Sequence, residues 1–191
     1  MEPDALLRLG LALEYATLAW NVVGVVVLVL AAYAARSVAL AGFGLDSLIE
    51  IFASVVVVWH LLGIHRNRER LALRLIGVAF ILLIAYIAAQ LTYTIVSHTR
   101  PQPSVGGIAW TAMTCIAMLL LAYGKNVTGQ RLRNEVLQTE ARVTLIDAYL
   151  ACAVLVGLAF NLLVGWWWAD PLASLAIVYY GVREARHALS R

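Results

Sequence analysis

Asp46 and Glu50 stand one helical turn apart in "LDSLIEIFAS", inside a stretch that is otherwise apolar or small. Paired carboxylates on one face of a helix can hold a cation, carry protons or neutralise a base. Taking even one of them to mid-bilayer costs at least about 2.5–3.5 kcal/mol. A third acid, Asp147, sits in "LIDAYL", and Glu140 lies seven residues before it on the same helical face. Four acids in apolar surroundings need a common purpose.

Composition sets the elements that must position them. The chain has 191 residues, 63% hydrophobic and 13% charged, whereas a soluble domain would be about half apolar and a quarter charged. An all-α polytopic membrane protein is the expected fold class. Apolar runs at 11–35, 38–64, 71–96, 107–123, 143–165 and 171–182 predict six transmembrane helices, given that a span needs about 20 residues. The last run is short, and its flanking arginines can snorkel. A single transmembrane domain over 1–191 is expected, with no soluble domain and no cleavable signal peptide.

Basic residues orient the spans. With the N-terminus inside, twelve of the 14 basic residues face the cytoplasm, Lys125 among them, and only Arg36 and Arg100 lie outside. That bias predicts both termini cytoplasmic. It also assigns the positive charge to topology and anionic lipid rather than to nucleic acid. "VGWWWADP" then falls at the outer headgroup level, with Asp170 as N-cap and Pro171 as first helical position of span six.

Most other polar residues have plain readings. Cys115 and Cys152 read as separate small packing residues, with Cys152 as a metal neighbour the alternative. His60, His65, His98 and His187 fall near span ends, where water reaches them. Glu14 reads as a solvated charge at the cytoplasmic rim. Asn126-Val127-Thr128 matches a glycosylation acceptor but lies on the cytoplasmic side, so it should be unused.

Depth separates the remaining acids from these. Asp46 and Glu50 lie roughly 8 and 12 residues into span two from outside, and Asp147 roughly 11 into span five from inside, all near the midplane at about 1.5 Å per residue. No basic residue is expected there to pair with them. Protonation can neutralise such a group, and so can a divalent cation. A site that alternates between the two is a cation–proton exchanger. A set of permanently protonated, hydrogen-bonded acids is the structural alternative.

The sequence "SVALAGFGLDSLIEIFAS" resembles the second span of the cation diffusion facilitator family, and the similarity runs over the whole chain. The resemblance implies that Asp46 and Glu50 bind the transported metal. The family adds a His-x-x-x-Asp pair from span five. In "EARVTLIDAYL", Asp147 matches the aspartate and Val143 stands at the histidine position. Asn21 in span one and "WWWADP" before span six fit the same likeness. It further implies a divalent metal ion as substrate, zinc first, no prosthetic group, and a transporter rather than an enzyme. The family's usual cytoplasmic domain has no counterpart here, as in its short branch, so a homodimer would form through the transmembrane helices.

The expected function is a proton-coupled exporter of a divalent transition metal in a bacterial inner (plasma) membrane. Its metal ligands would be Asp46, Glu50 and Asp147, with Glu140 completing the set or passing ions from the cytoplasm and Asn21 orienting a ligand. Replacing a histidine by valine leaves an all-oxygen donor set, which manganese tolerates better than zinc does. Iron and cobalt stay open too. Two other classes stand beside this one. An exporter of organic cations would need a roomy cavity, against which Gly42, Gly44, Ser47 and Ser54 suggest close helix packing. A haem-binding redox subunit would need facing histidines, for which only His60 and His187 qualify.

Overall fold

A computed structural model describes residues 3–62, 69–97 and 100–189. Six helices follow one another in the expected order: α1 (Pro3–Ala35), α2 (Val38–Leu61), α3 (Glu69–Val96), α4 (Val105–Leu132), α5 (Glu135–Val164) and α6 (Ala169–Leu189). No strand occurs among the described residues. Helices α1, α2, α4 and α5 are long and apolar enough to cross a membrane, and α3 carries a shorter apolar segment, Ile81–Val96. α6 is more polar, with Asp170 in its first turn and Arg183 and Arg186 near its end.

Polar and apolar surfaces are inverted relative to a soluble bundle. On α1, Val22, Val26, Val29 and Leu30 are exposed, while Glu14, Thr17 and Asn21 are buried. An exposed apolar belt suits lipid, and buried polar groups must then find partners inside the protein. Several bond to their own helix. Thr17 donates to the Leu13 carbonyl at 3.0 Å, Asn21 Nδ2 to the Thr17 carbonyl at 3.1 Å and Ser47 to the Phe43 carbonyl at 3.2 Å.

Helix α2 is central, packing against α1, α3, α5 and α6. Phe43, Leu28, Ile87, Val154, Leu158 and Ile177 fill the apolar core around it. Close approach depends on missing side chains. A Cβ on Gly44 would lie 3.2 Å from Leu28 Cβ of α1, and one on Gly157 would lie 2.9 Å from the Ala169 carbonyl of α6.

Helices α4 and α5 form a hairpin. Arg133 takes a left-handed conformation (φ 51°) to end α4, and the Asn134 side chain caps α5 by accepting from the Leu137 N–H at 3.0 Å. The turn is therefore two residues long, and positions equally far from it face each other. Cys115 precedes Arg133 by as many residues as Cys152 follows Asn134 (133 − 115 = 152 − 134 = 18). The two form a disulfide between α4 and α5, with Cα atoms 5.8 Å apart. This corrects the expectation of two separate packing thiols, and it leaves Cys152 no free sulfur for a metal.

Asp170 also departs from expectation. α6 begins at Ala169, and the Asp170 carboxylate turns away to cap α2 instead. It accepts from the Ser37 hydroxyl, from the Val38 N–H at 3.0 Å and from the Ala39 N–H at 3.3 Å. The first N–H groups of a helix lack intrahelical partners and favour an anion. Ser37 itself caps α2 by accepting from the Leu40 N–H at 3.1 Å. The first turns of α2 and α6 are thus fastened together.

Candidate metal path between the helices

α2 and α5 run antiparallel through the bundle interior and face each other with hydroxyls and carboxyls in register. On α2 the residues are Asp46, Glu50 and Ser54, each one turn from the next. On α5 they are Asp147, Thr144 and Glu140, read in the opposite direction. All six are buried. Asp46 and Asp147 come within side-chain hydrogen-bonding reach of each other. One turn along, the Thr144 hydroxyl donates to Glu50 Oε1 at 3.0 Å. One turn further, the Ser54 hydroxyl reaches Glu140 Oε1 at 3.3 Å.

The Asp46–Asp147 rung has a distinctive chemistry. Asp147 is 2% exposed, and neither of its carboxylate oxygens meets a hydrogen-bond donor. Buried carboxylates without donors carry the desolvation cost in full. A proton shared with Asp46 or a cation between the two removes that cost. Zinc, manganese, iron and cobalt all accept carboxylate oxygen.

Among the described residues, no three His, Cys, Asp or Glu side chains close around one point as a ready-made metal cage. The Glu50 carboxylate accepts from Thr144 on the neighbouring rung. Asn21 is buried at 1% exposure, and its amide donates to its own helix. Val143, at the family's histidine position, is half-buried at the flank of this face, whereas Thr144 is fully buried on it.

Two expectations are corrected at the Glu140 end of the path. Lys125 is not a solvated anchor: it is 0% exposed and supplies the basic residue expected to be missing. Its ammonium lies 3.1 Å from Glu14 Oε2 and 3.6 Å from Glu140 Oε1, and donates to Thr144 Oγ1 at 3.0 Å. Glu14 is not a rim charge either, being 0% exposed within this ion pair. The cause is helix length. α4 continues nine residues past Tyr123, where the apolar run ends, and brings Lys125 inside against α1 and α5. Thr144 and Ser54 were missed as well, although both lie at helical spacing from the acids.

The histidines stay out of this picture, since the side chains of His60, His65, His98 and His187 lie outside the described residues. The tryptophans before α6 lie at one end of the bundle, in the α5–α6 connection. Trp166 and Trp168 are exposed, and the Arg100 guanidinium sits 6.0 Å from the Trp167 ring centre.

A search among curated proteins finds no match. The family model described as the cation efflux transmembrane domain matches residues 15–190. That span takes in nearly the whole chain and every residue of the α2–α5 ladder. The chain belongs to the cation efflux family.

Proposed function

We propose that this protein exports a divalent transition metal, zinc first, in exchange for protons, with Asp46 and Asp147 as the central ligands. The family moves metal cations across membranes, so this chain is a membrane-embedded metal cation transporter, and the metal is its cargo rather than a prosthetic group. The observation that carries the finer reading is the donor-less Asp147 carboxylate facing Asp46 inside the bundle. Metal arriving there displaces protons, and protons arriving there displace metal. Glu50 joins the ligands by releasing Thr144, and Glu140 passes ions from the cytoplasmic side. Alternating access follows from tilting helices around this fixed midplane point.

The test is reconstituted uptake of zinc, manganese, iron and cobalt, with a pH gradient imposed and then removed. Zinc flux should exceed that of empty vesicles and rise with protons on the side opposite the metal. Flux indifferent to the gradient would end the exchange mechanism, and no flux of any metal would end the reading altogether.

Orientation has its own check. Gln102 lies in the α3–α4 connection and Gln130 in the last turn of α4, and both are exposed. Single cysteines placed there, with Cys115 and Cys152 replaced by Ala, should react from opposite sides of the membrane. The Gln102 position should label from outside and the Gln130 position only after permeabilisation. Same-side labelling would overturn the cytoplasmic termini and the midplane depth of the acids.

Metal preference can be shifted at Val143. It precedes Asp147 by one turn, so a longer side chain from the flank can reach toward the Asp46–Asp147 rung. Val143→His adds an imidazole nitrogen, which favours zinc over manganese. Competition in liposomes at about pH 7.5 should show a raised zinc preference, fading below about pH 6.5 as the ring protonates. An unchanged preference in a well-folded variant would place position 143 away from the metal.

A further inference from the structure

Lys125 is the sole lysine of the chain; every other basic residue is arginine. It is also fully buried, at a point where three neighbouring helices contribute oxygen. Glu14 comes from α1, Glu140 and Thr144 come from α5, and Ser54 of α2 donates to Glu140. An ammonium has three N–H donors and no acceptor, and the three oxygens nearest Nζ are those of Glu14, Thr144 and Glu140, at 3.1, 3.0 and 3.6 Å. The cage therefore holds a compact cation on a flexible stem, unlike the planar fork an arginine would bring. Thr144 and Glu140 precede Asp147 by three and seven residues, so the ammonium between them stands about 5–10 Å along the helix axis from the Asp46–Asp147 rung.

We propose that Lys125 is a displaceable internal cation: its ammonium fills the oxygen cage of Glu14, Glu140 and Thr144 on the approach to the metal site, and incoming metal evicts it. The inference rests on the transport reading above and adds a selectivity step to it. A monovalent ion gains no charge by replacing an ammonium already tethered there. A divalent ion brings twice the charge and can displace it. Eviction also removes the donor to Thr144, whose hydroxyl is bonded to Glu50. Thr144 and Glu50 are then free to rearrange as metal moves on toward Asp46 and Asp147. Lys125 is thus a positioning residue.

The test uses the full chain in lipid, with isotope-labelled lysine nitrogen, which gives a single side-chain signal because there is one lysine. At fixed pH, zinc should move that signal to a second position, half-complete near the zinc KM for transport, and potassium at the same concentration should not. In parallel, Lys125→Gln should lower the zinc KM about tenfold or more while slowing maximal turnover, since nothing then competes for the cage. A purely structural lysine would cut the yield of folded protein and leave KM unchanged. If Lys125→Gln does not fold, the wild-type signal decides alone. A signal unmoved at saturating zinc in a transporting protein overturns the role of Lys125 and leaves the transport reading standing. No flux of any metal by the reconstituted wild-type protein removes the transport reading, and this inference with it.

Discussion

Asp147→Asn is expected to lower zinc transport at least about a hundredfold while the bundle stays assembled. The magnitude follows from charge. A unit charge about 4 Å from another is worth about 4 kcal/mol at an effective dielectric near 20, and each 1.4 kcal/mol is tenfold in affinity. An amide of the same shape keeps the packing and removes that attraction for a divalent ion. Stability should move the other way. Asp147 has no donor in reach, and asparagine can donate to Asp46, so the variant should melt at or above the wild-type temperature in detergent. Asp46→Asn and Glu50→Gln should also stop transport. Near-normal flux in any two of the three would remove the shared site.

Glu14→Gln is expected to destabilise the protein by about 3–5 kcal/mol, the usual loss when one partner of a buried ion pair is removed. The glutamine would leave the Lys125 ammonium with Glu140, at 3.6 Å, as its carboxylate partner. The double variant Glu14→Gln/Lys125→Met should recover much of the loss, because no buried cation then lacks its partner. Thermal unfolding of the three proteins in one detergent measures both effects. A single variant melting within about 1 °C of wild type would mean that the pair carries little of the bundle's stability.

How far the sequence reveals this arrangement depends on what each residue needs from a distant neighbour. Asp46, Glu50 and Asp147 are legible because one helix period and one depth count suffice to bring them together. Lys125 is not, because hydropathy ends the fourth apolar run at Tyr123, and a lysine just beyond a span reads as a topology signal. Only the continuation of α4 to Leu132 puts it inside. Thr144 and Ser54 are hidden for another reason. Hydroxyls on membrane helices commonly bond their own backbone, as Thr17 and Ser47 do here, and no local pattern marks the ones that reach across. Asp170 is the reverse case: the Asp-Pro pair carries a true capping signal, but the helix it caps is α2. The cysteine pairing is hidden for the same reason as Lys125: apolar runs ending at 123 and beginning at 143 do not reveal the two-residue turn that sets Cys115 opposite Cys152.

The fastening of α6 to the start of α2 divides the bundle mechanically. The carboxylate of Asp170, bonded to Ser37, Val38 and Ala39, ties the first turns of α2 and α6 together. The tight turn and the Cys115–Cys152 bond do the same for α4 and α5. What remains between these two bodies is a seam, lined by Asp46 and Glu50 on one wall and Asp147, Thr144 and Glu140 on the other. Sliding one wall past the other by a single helical turn would place Asp147 beside Glu50 and Thr144 beside Ser54, leaving Asp46 and Glu140 at the two ends. The ladder is then a ratchet, and its tooth spacing is the helix pitch of about 5.4 Å.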